Sequence, residues 1–376
     1  MNKRKVIITA CEAVTAYGCG ADKFVDALYS GKSAVRIQDS NADSQFSGFP
    51  VAMVSGLAPD KPRVFQLLEQ LRQLSHDLPP EVPVLLAVTI GAIDLLEKQI
   101  NGQDAAVNSH LNQLCELVKQ LFGQRRIIVV SGACAASACA IARAASMISN
   151  GTSPCVAIIS CDALSEFIIS GFSSLAALDE KPASPFSAER SGLNLGEAAT
   201  LTLLADSEYA ANRNLPVKCE VTGWAMNADA YHVTTPAPSG APLAEAIRNA
   251  LGRAEITADE VVCIAAHGTG TFYNDAMEMA AFHKVFDKPR PVFSVKGGTG
   301  HTIAPGGALQ VIAVIRALQL LETPPNINLN TPMLEAIGWA SPVRSCIASG
   351  PVVSVSSGFG GINCALILRP MANPLV

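Results

Sequence analysis

The sequence predicts an α/β fold whose sheets are covered by helices. Three observations carry this. Short continuous apolar runs, such as residues 127–130 and 154–160, lack the polar alternation of a half-exposed strand and read as strands buried on both faces. Segments with helical spacing alternate with these runs along the chain, the pattern of parallel sheets sandwiched by helices. In both halves a reactive-looking residue, Cys134 and then His267, follows directly after such a strand, as in a duplicated unit.

Taken in order, residues 6–9 form the first predicted strand, and V-T-A-Y-G-C-G-A-D leads into a helix over 21–30. Residues 38–62 are polar and broken by Pro and Gly, hence loop. Leucines and a valine at helical spacing over 64–77, with Glu69, Arg72 and Gln73 between them, predict an amphipathic surface or interface helix. Residues 83–96 read as strand then helix, 101–109 as a polar connection and 111–121 as a helix. The stretch from 126 to 150 organises the rest: a buried strand, a sharp Ser-Gly-Ala turn, and a helix of Ala, Ser and Cys closed by Asn150-Gly151. Cys134 falls where that helix begins, and the helix dipole and free N–H groups there favour a thiolate. The tiny side chains behind it allow close helix packing.

A second buried strand at 154–160, a mixed segment at 165–178, a polar loop and a strand at 198–204 close the first half. The second series begins at 217–224. A helix over 242–251, with proline at its first position, precedes a strand at 261–266 that ends at His267. A helix over 275–285, a strand at 291–295, the 296–301 loop and a helix over 306–321 follow. Residues 352–356 and 363–369 read as a hairpin around G-F-G-G. The halves are placed at 1–208 and 216–376.

Composition narrows the function. With 376 residues, 49% of them hydrophobic, the chain is long enough for a large core or two fused cores. Charged residues are only 16% and the net charge is −5, which argues against nucleic acid as the main ligand. The eleven cysteines are odd in number, and none are in C-x-x-C spacing, so reduced thiols in a cytosolic protein are expected. The apolar run near the start stops at Glu12, too short for a signal peptide, and no stretch is long and apolar enough to span a bilayer.

Three polar loops follow predicted buried strands and converge if they share one sheet end. The first carries Cys134. The second, A-A-H-G-T-G-T-F-Y-N-D-A-M-E, carries His267, with Asp275 and Glu278 at i, i+3 on the next helix. The third, V-K-G-G-T-G-H, holds Lys296 and His301. Each residue also fits a structural role: a buried thiol, a hydrogen-bonded strand-end histidine, acids complementing a helix N-terminus. No Cys/His spacing matches a metal site. Taken together, one thiol and two imidazoles in Gly/Thr-rich turns suit acyl transfer followed by carbanion chemistry, with the imidazole N–H groups stabilising an enolate.

These motifs resemble a β-ketoacyl-[acyl carrier protein] synthase of the decarboxylating condensing-enzyme type. The likeness runs through V-I-I-T-A-C-E-A-V-T-A-Y-G, G-A-C-A-A-S-A-C-A-I, P-F-S-A-E-R-S-G-L-N-L-G-E, D-A-Y-H-V-T-T-P-A-P-S-G, A-H-G-T-G-T-F-Y-N-D-A-M-E, S-V-K-G-G-T-G-H and S-G-F-G-G-I-N-C-A, in order. The resemblance implies a five-layered thiolase-like αβαβα fold of two similar halves, and a dimer of identical subunits or with a second ketosynthase-like subunit. It assigns Cys134 as acyl-accepting nucleophile, with His267 and His301 supporting decarboxylation. Lys296 holds the network near His301 with Glu278 as partner, and Asp275 supports the same loop. The N–H groups of Cys134 and Phe359 form the oxyanion hole, and Phe359 gates the pocket. Thr269 and Thr271 match positions that contact phosphopantetheine, and Phe172 a pocket-lining position. No prosthetic group is implied; substrates arrive on an acyl carrier protein.

The chain departs from the family pattern at Ser187, in place of Asp, at Ser357, in place of Phe, and at Gln310, in place of an acid. The 38–109 region is shorter and lacks the basic helix entry. D-A-L-S and G-L-N-L-G-E are similar to synthases of aryl-polyene pathways. The rival reading from another class is a silent, chain-length-factor-like subunit, which typically lacks the cysteine. A non-decarboxylating thiolase would need a second cysteine in C-x-G context, and a starter-type synthase would have Asn at 301.

Overall fold

The computed structural model describes residues 4–37, 48–100, 102, 110–123 and 126–371. Most of the polar connections predicted at 38–62 and 101–109 therefore lie partly outside the described residues. The first half contains strands β1 (Val6–Thr15), β2 (Val84–Ala87), β3 (Ile127–Val130), β4 (Cys155–Asp162) and β5 (Ala198–Asp206). Its helices are α1 (Ala21–Tyr29), α2 (Arg63–Leu74), α3 (Ile93–Ile100), α4 (His110–Phe122), α5 (Ala136–Ser149) and α6 (Glu166–Ser174). The second half contains β6 (Cys219–Ala228), β7 (Cys263–Ala265), β8 (Val292–Phe293), β9 (Val352–Gly358) and β10 (Ile362–Arg369). Its helices are α7 (Ala241–Ala254), α8 (Phe272–Val285), the single turn α9 (Lys296–Thr299) and α10 (Gly306–Leu320).

These strands form one band in the order β8-β7-β9-β10-β6-β1-β5-β4-β2-β3. Outward from the centre, each half reads first, fifth, fourth, second, third strand. The halves meet where β1 pairs with β6 at Ile7–Glu220 and Ile8–Cys219. The expected parallel sheets are in fact mixed. In the first half β5 runs antiparallel to β1 and β4, and only β2 runs parallel to its neighbours. The second half repeats this, with β10 antiparallel to β9 and β6 and β7 parallel to both neighbours. A strand buried on both faces carries no alternation from which direction can be read.

Successive strand residues point to opposite faces, and here they enter different cores. Ile7, Leu86 and Ile159 pack against Leu67, Leu71 and Leu114 of α2 and α4. Their neighbours Ile8 and Ile158 face the central helices α5 and α10. In the second half Val352 and Leu366 face the same central helices, whereas Val353 and Ile367 pack on Ile247 and Phe282 of α7 and α8. Three helical layers thus enclose two sheet layers, the five-layered arrangement. Helix α2, predicted on a surface or interface, buries Val64, Leu67, Leu68 and Leu71 as an outer-layer helix.

The central layer is close because α5 is built from alanine, serine and cysteine. A Cβ at Gly307 would lie 2.9 Å from the Cβ and the backbone nitrogen of Ala138, so only glycine lets α10 approach at that point. Strand β3 departs from expectation: it is the terminal strand of the band, and Val129 is 37% exposed. Its apolar sequence is that of a buried strand, yet one edge has no strand partner among the described residues.

Candidate active site

Beyond β3 the chain turns within Ser131-Gly132-Ala133, and Ala133 takes a left-handed φ of 46° that delivers Cys134 just ahead of α5. Cys134 is 6% exposed. At this helix start burial opposes the expected pull toward a thiolate. Burial pushes the Cys134 thiol up to about 12; the charge of Lys296 and the N–H groups of Phe359 and of Cys134 itself pull it down without prevailing. Those two N–H groups nevertheless point at the sulfur, the placement an oxyanion hole requires.

His267 follows β7, and His301 follows α9, a helical turn where a loop was expected. Their rings stand nearly perpendicular, 5.4 Å apart. His301 Nδ1 accepts from the Ile303 N–H at 3.3 Å, which leaves the proton on Nε2. Lys296 Nζ donates to the His267 carbonyl oxygen and lies 3.3 Å from His267 Nδ1, which assigns the His267 proton to Nε2 as well. Burial, followed by the Lys296 charge, holds both imidazoles well below their usual range. The site therefore holds two neutral rings, each with an N–H to donate, which suits stabilisation of a developing oxyanion.

Lys296 is 2% exposed; burial lowers it, opposed by the charge of Glu278. Glu278 acts on Lys296 through its charge, while its hydrogen bonds go elsewhere. Its carboxylate accepts from the backbone N–H groups of His267 and Gly268, each at 2.7 Å, and from Asn274 Nδ2 at 2.8 Å. Burial raises Glu278, with Asp275 adding to the shift. Asp275 pins the same loop, accepting from Thr269 N at 3.1 Å and from Phe186 N at 2.7 Å. Both acids thus shape the turn that presents His267.

Cys134, His267, His301, Phe172, Phe359, Thr269 and Thr271 line one cavity of about 240 Å³. Phe359 stacks on Phe172 with centroids 5.6 Å apart, and Phe172 meets His301 edge-on at 6.5 Å. The Thr269 and Thr271 hydroxyls lie 2.9 Å apart along the entrance, beside the exposed Phe272 and Tyr273. The turn carrying Phe359 is held by Asp229, whose N–H donates to Gly361 O at 2.8 Å; a Cβ on Gly361 would strike the Asp229 carboxylate. Sequence reasoning singled out the motif around Asp229 but not that residue. It also missed Asn194, whose carbonyl oxygen accepts from the His301 N–H at 2.7 Å.

The family model for the N-terminal domain of β-ketoacyl synthases matches residues 66–210, and that for the C-terminal domain matches 218–330. The chain belongs to the β-ketoacyl synthase family. This synthase is 29% identical to 3-oxoacyl-[acyl-carrier-protein] synthase 2 of Coxiella burnetii over 98% of this chain and 99% of that one. The ishigamide ketosynthase/chain length factor superposes with a TM-score of 0.87 at 25% identity, covering 98% of this chain and all of that one. A type II PKS acyl-carrier protein in complex with its ketosynthase, at 23% identity and a TM-score of 0.86, has the same fold over 98% of this chain and all of that one.

Of the synthase's departures from pattern, Gln310 has a clear physical role. Its Nε2 donates to the carbonyls of Ala266 at 2.8 Å, Val355 at 2.9 Å and Ala265 at 3.2 Å, while Oε1 accepts from Ser356 Oγ. At 1% exposure it stitches β7 to β9, and Lys296 is held by His267 instead. Gln310→Glu confronts those carbonyls with a carboxylate and is expected to destabilise the fold by about 3 kcal/mol. Urea unfolding checks this; an unchanged midpoint would contradict the stitching role. Ser187 accepts from the Glu189 N–H at 3.1 Å, and Ser357 bonds Asn363 at 2.9 Å within the cavity wall.

Proposed function

We propose that the chain is a working β-ketoacyl-[acyl carrier protein] synthase of fatty-acid, polyketide or aryl-polyene-type biosynthesis. The observation that carries this reading is one cavity whose lining brings the Cys134 thiol together with the buried imidazoles of His267 and His301. In the first half-reaction Cys134 sulfur attacks the thioester carbonyl of an acyl group on the carrier protein's phosphopantetheine. The oxyanion rests on the Cys134 and Phe359 N–H groups, the pantetheine sulfur leaves, and the thiol proton goes to it. Phe359 gates this pocket, and Thr269 and Thr271 hold the pantetheine arm.

In the second half-reaction a malonyl thioester occupies the same arm. Its terminal C–C bond breaks, CO₂ leaves, and the enolate oxygen accepts from His267 and His301 Nε2–H. The enolate carbon attacks the acyl carbonyl, the bond to Cys134 breaks, and the thiolate recovers a proton from solvent. Lys296 fixes the His267 tautomer, and Glu278 and Asp275 hold its loop.

Residues 1–208 and 216–376 are the two halves. The apolar edge of β3, which has no strand partner among the described residues, suits a subunit partner, identical or a second ketosynthase-like chain. The reading places the enzyme in the cytoplasm; among the described residues no helix is long and apolar enough to cross a membrane. The intact cysteine and histidines count against the silent-subunit reading. The test is incubation with acyl- and malonyl-carrier proteins. Release of CO₂ with a product two carbons longer supports the reading; its absence from a folded, partner-supplied protein contradicts it.

A further inference from the structure

We propose that Asp162 is a positioning residue of the condensation site, tying the loop that carries Cys134 to the loop that carries His301. The inference rests on the ketosynthase reading of that site. Asp162 is the last residue of β4 and has no exposed surface. Its partners are backbone N–H groups from two separate connections. Oδ1 accepts from Thr89 at 3.2 Å and Ile90 at 3.1 Å; Oδ2 accepts from Thr89 at 3.2 Å and Ala304 at 3.0 Å. One carboxylate thus clamps the segment after β2 to the segment after His301.

Each connection leads to a reacting group in one step. Thr89 Oγ1 donates to the carbonyl of Ala133 at 3.0 Å, the left-handed residue directly before Cys134. On the other side, Ala304 adjoins Ile303, whose N–H fixes His301 Nδ1. The Ala304 carbonyl also accepts from the N–H of Ser137 at 3.3 Å, in the first turn of α5, and from the Ser137 hydroxyl. The sulfur of Cys134 and the ring of His301 are therefore positioned through a shared carboxylate.

Burial lifts the Asp162 carboxyl to about 7, against the pull of the Ile90, Ala304 and Thr89 N–H groups and of the Thr89 hydroxyl. Its negative charge also pushes the Cys134 thiol up. Alignment and charge act in opposite directions, and that separates a positioning role from a merely structural one. An amide in place of the carboxylate turns an NH₂ toward an N–H donor and breaks one side of the clamp, while removing the charge.

The experiment compares Asp162→Asn, Thr89→Val and the wild-type full-length protein at pH 8 in two assays. The first is acyl loading from an acyl carrier-protein thioester; the second is iodoacetamide labelling with peptide mapping. For Asp162→Asn, loading kcat is expected to fall by about 10–100-fold with KM changed less than about twofold, the scale of a small misplacement at a reacting centre. Labelling of Cys134 is expected to rise by roughly 3–10-fold, as a lowered thiol pKa dictates, with Cys139 and Cys161 unlabelled. Thr89→Val keeps the carboxylate and cuts the link to Ala133, so loading slows while labelling of Cys134 changes far less than in Asp162→Asn. Wild-type loading rates in Thr89→Val, or Asp162→Asn labelling that spreads to Cys139 and Cys161, would overturn the proposal. Should Asp162→Asn fail to fold, Thr89→Val decides alone. Absence of loading in the wild type would count against the ketosynthase reading itself, while labelling still reports on the Asp162 charge.

Discussion

Cys134→Ala is expected to leave no acyl group on the protein, a loss of at least about 10⁴-fold in loading, while the fold is retained. The proposed nucleophile is lost outright, and no other cysteine lines the cavity. The fold survives because the sulfur is one atom in a layer of alanines, where Ala135 and Ala136 already pack without exposed surface. Removing it costs about 1 kcal/mol, within the ordinary range for a point substitution. Loading measured by protein mass, alongside a thermal unfolding curve, separates the two effects. Acylation that persists in a folded variant would move the nucleophile elsewhere. The raised thiol adds a second check: in the wild type, alkylation at position 134 should keep climbing with pH through pH 9, because the neutral form dominates there.

His301→Ala should load normally and fail to condense. In the proposed mechanism loading depends on the sulfur and on the N–H groups of Cys134 and Phe359, and His301 contributes no donor to that step. The enolate, by contrast, loses one of its two N–H donors, and removal of a single preorganised donor costs about 10²–10³-fold. Single-turnover loading within about threefold of wild type, with malonyl decarboxylation down by that larger factor, is the expected pattern. Unchanged decarboxylation would remove His301 from the second half-reaction.

Much of this architecture was legible in the chain. The strand-turn-helix around Cys134, the strand ending at His267 and the terminal hairpin all carry local signals: an apolar run, glycine punctuation, and a helix stop. What escaped was set by neighbours distant in sequence. Ile127–Val130 has the same letters whether or not a strand covers its second edge, so its place at the end of the band could not be read. Strand direction was hidden because Val352–Val355 and Leu366–Ile367 are buried on both faces. The upward push on the Cys134 thiol gave no local signal, since a helix start is a local feature and desolvation is a property of the folded whole. Glu278 looked like a partner for a lysine, yet its carboxylate spends its hydrogen bonds on two backbone N–H groups. Asp162 gave no signal beyond being an acid at the end of an apolar strand. In hindsight that break from Cys155–Cys161 marks where the buried strand meets the site.

The most direct measurement is the intact mass of the protein after incubation with a panel of acyl-carrier-protein thioesters, followed by malonyl-carrier protein. The account predicts a mass gain that maps to Cys134 and disappears when the malonyl thioester is added. A folded protein that gains no mass from any thioester, or whose acyl group sits elsewhere, would contradict it.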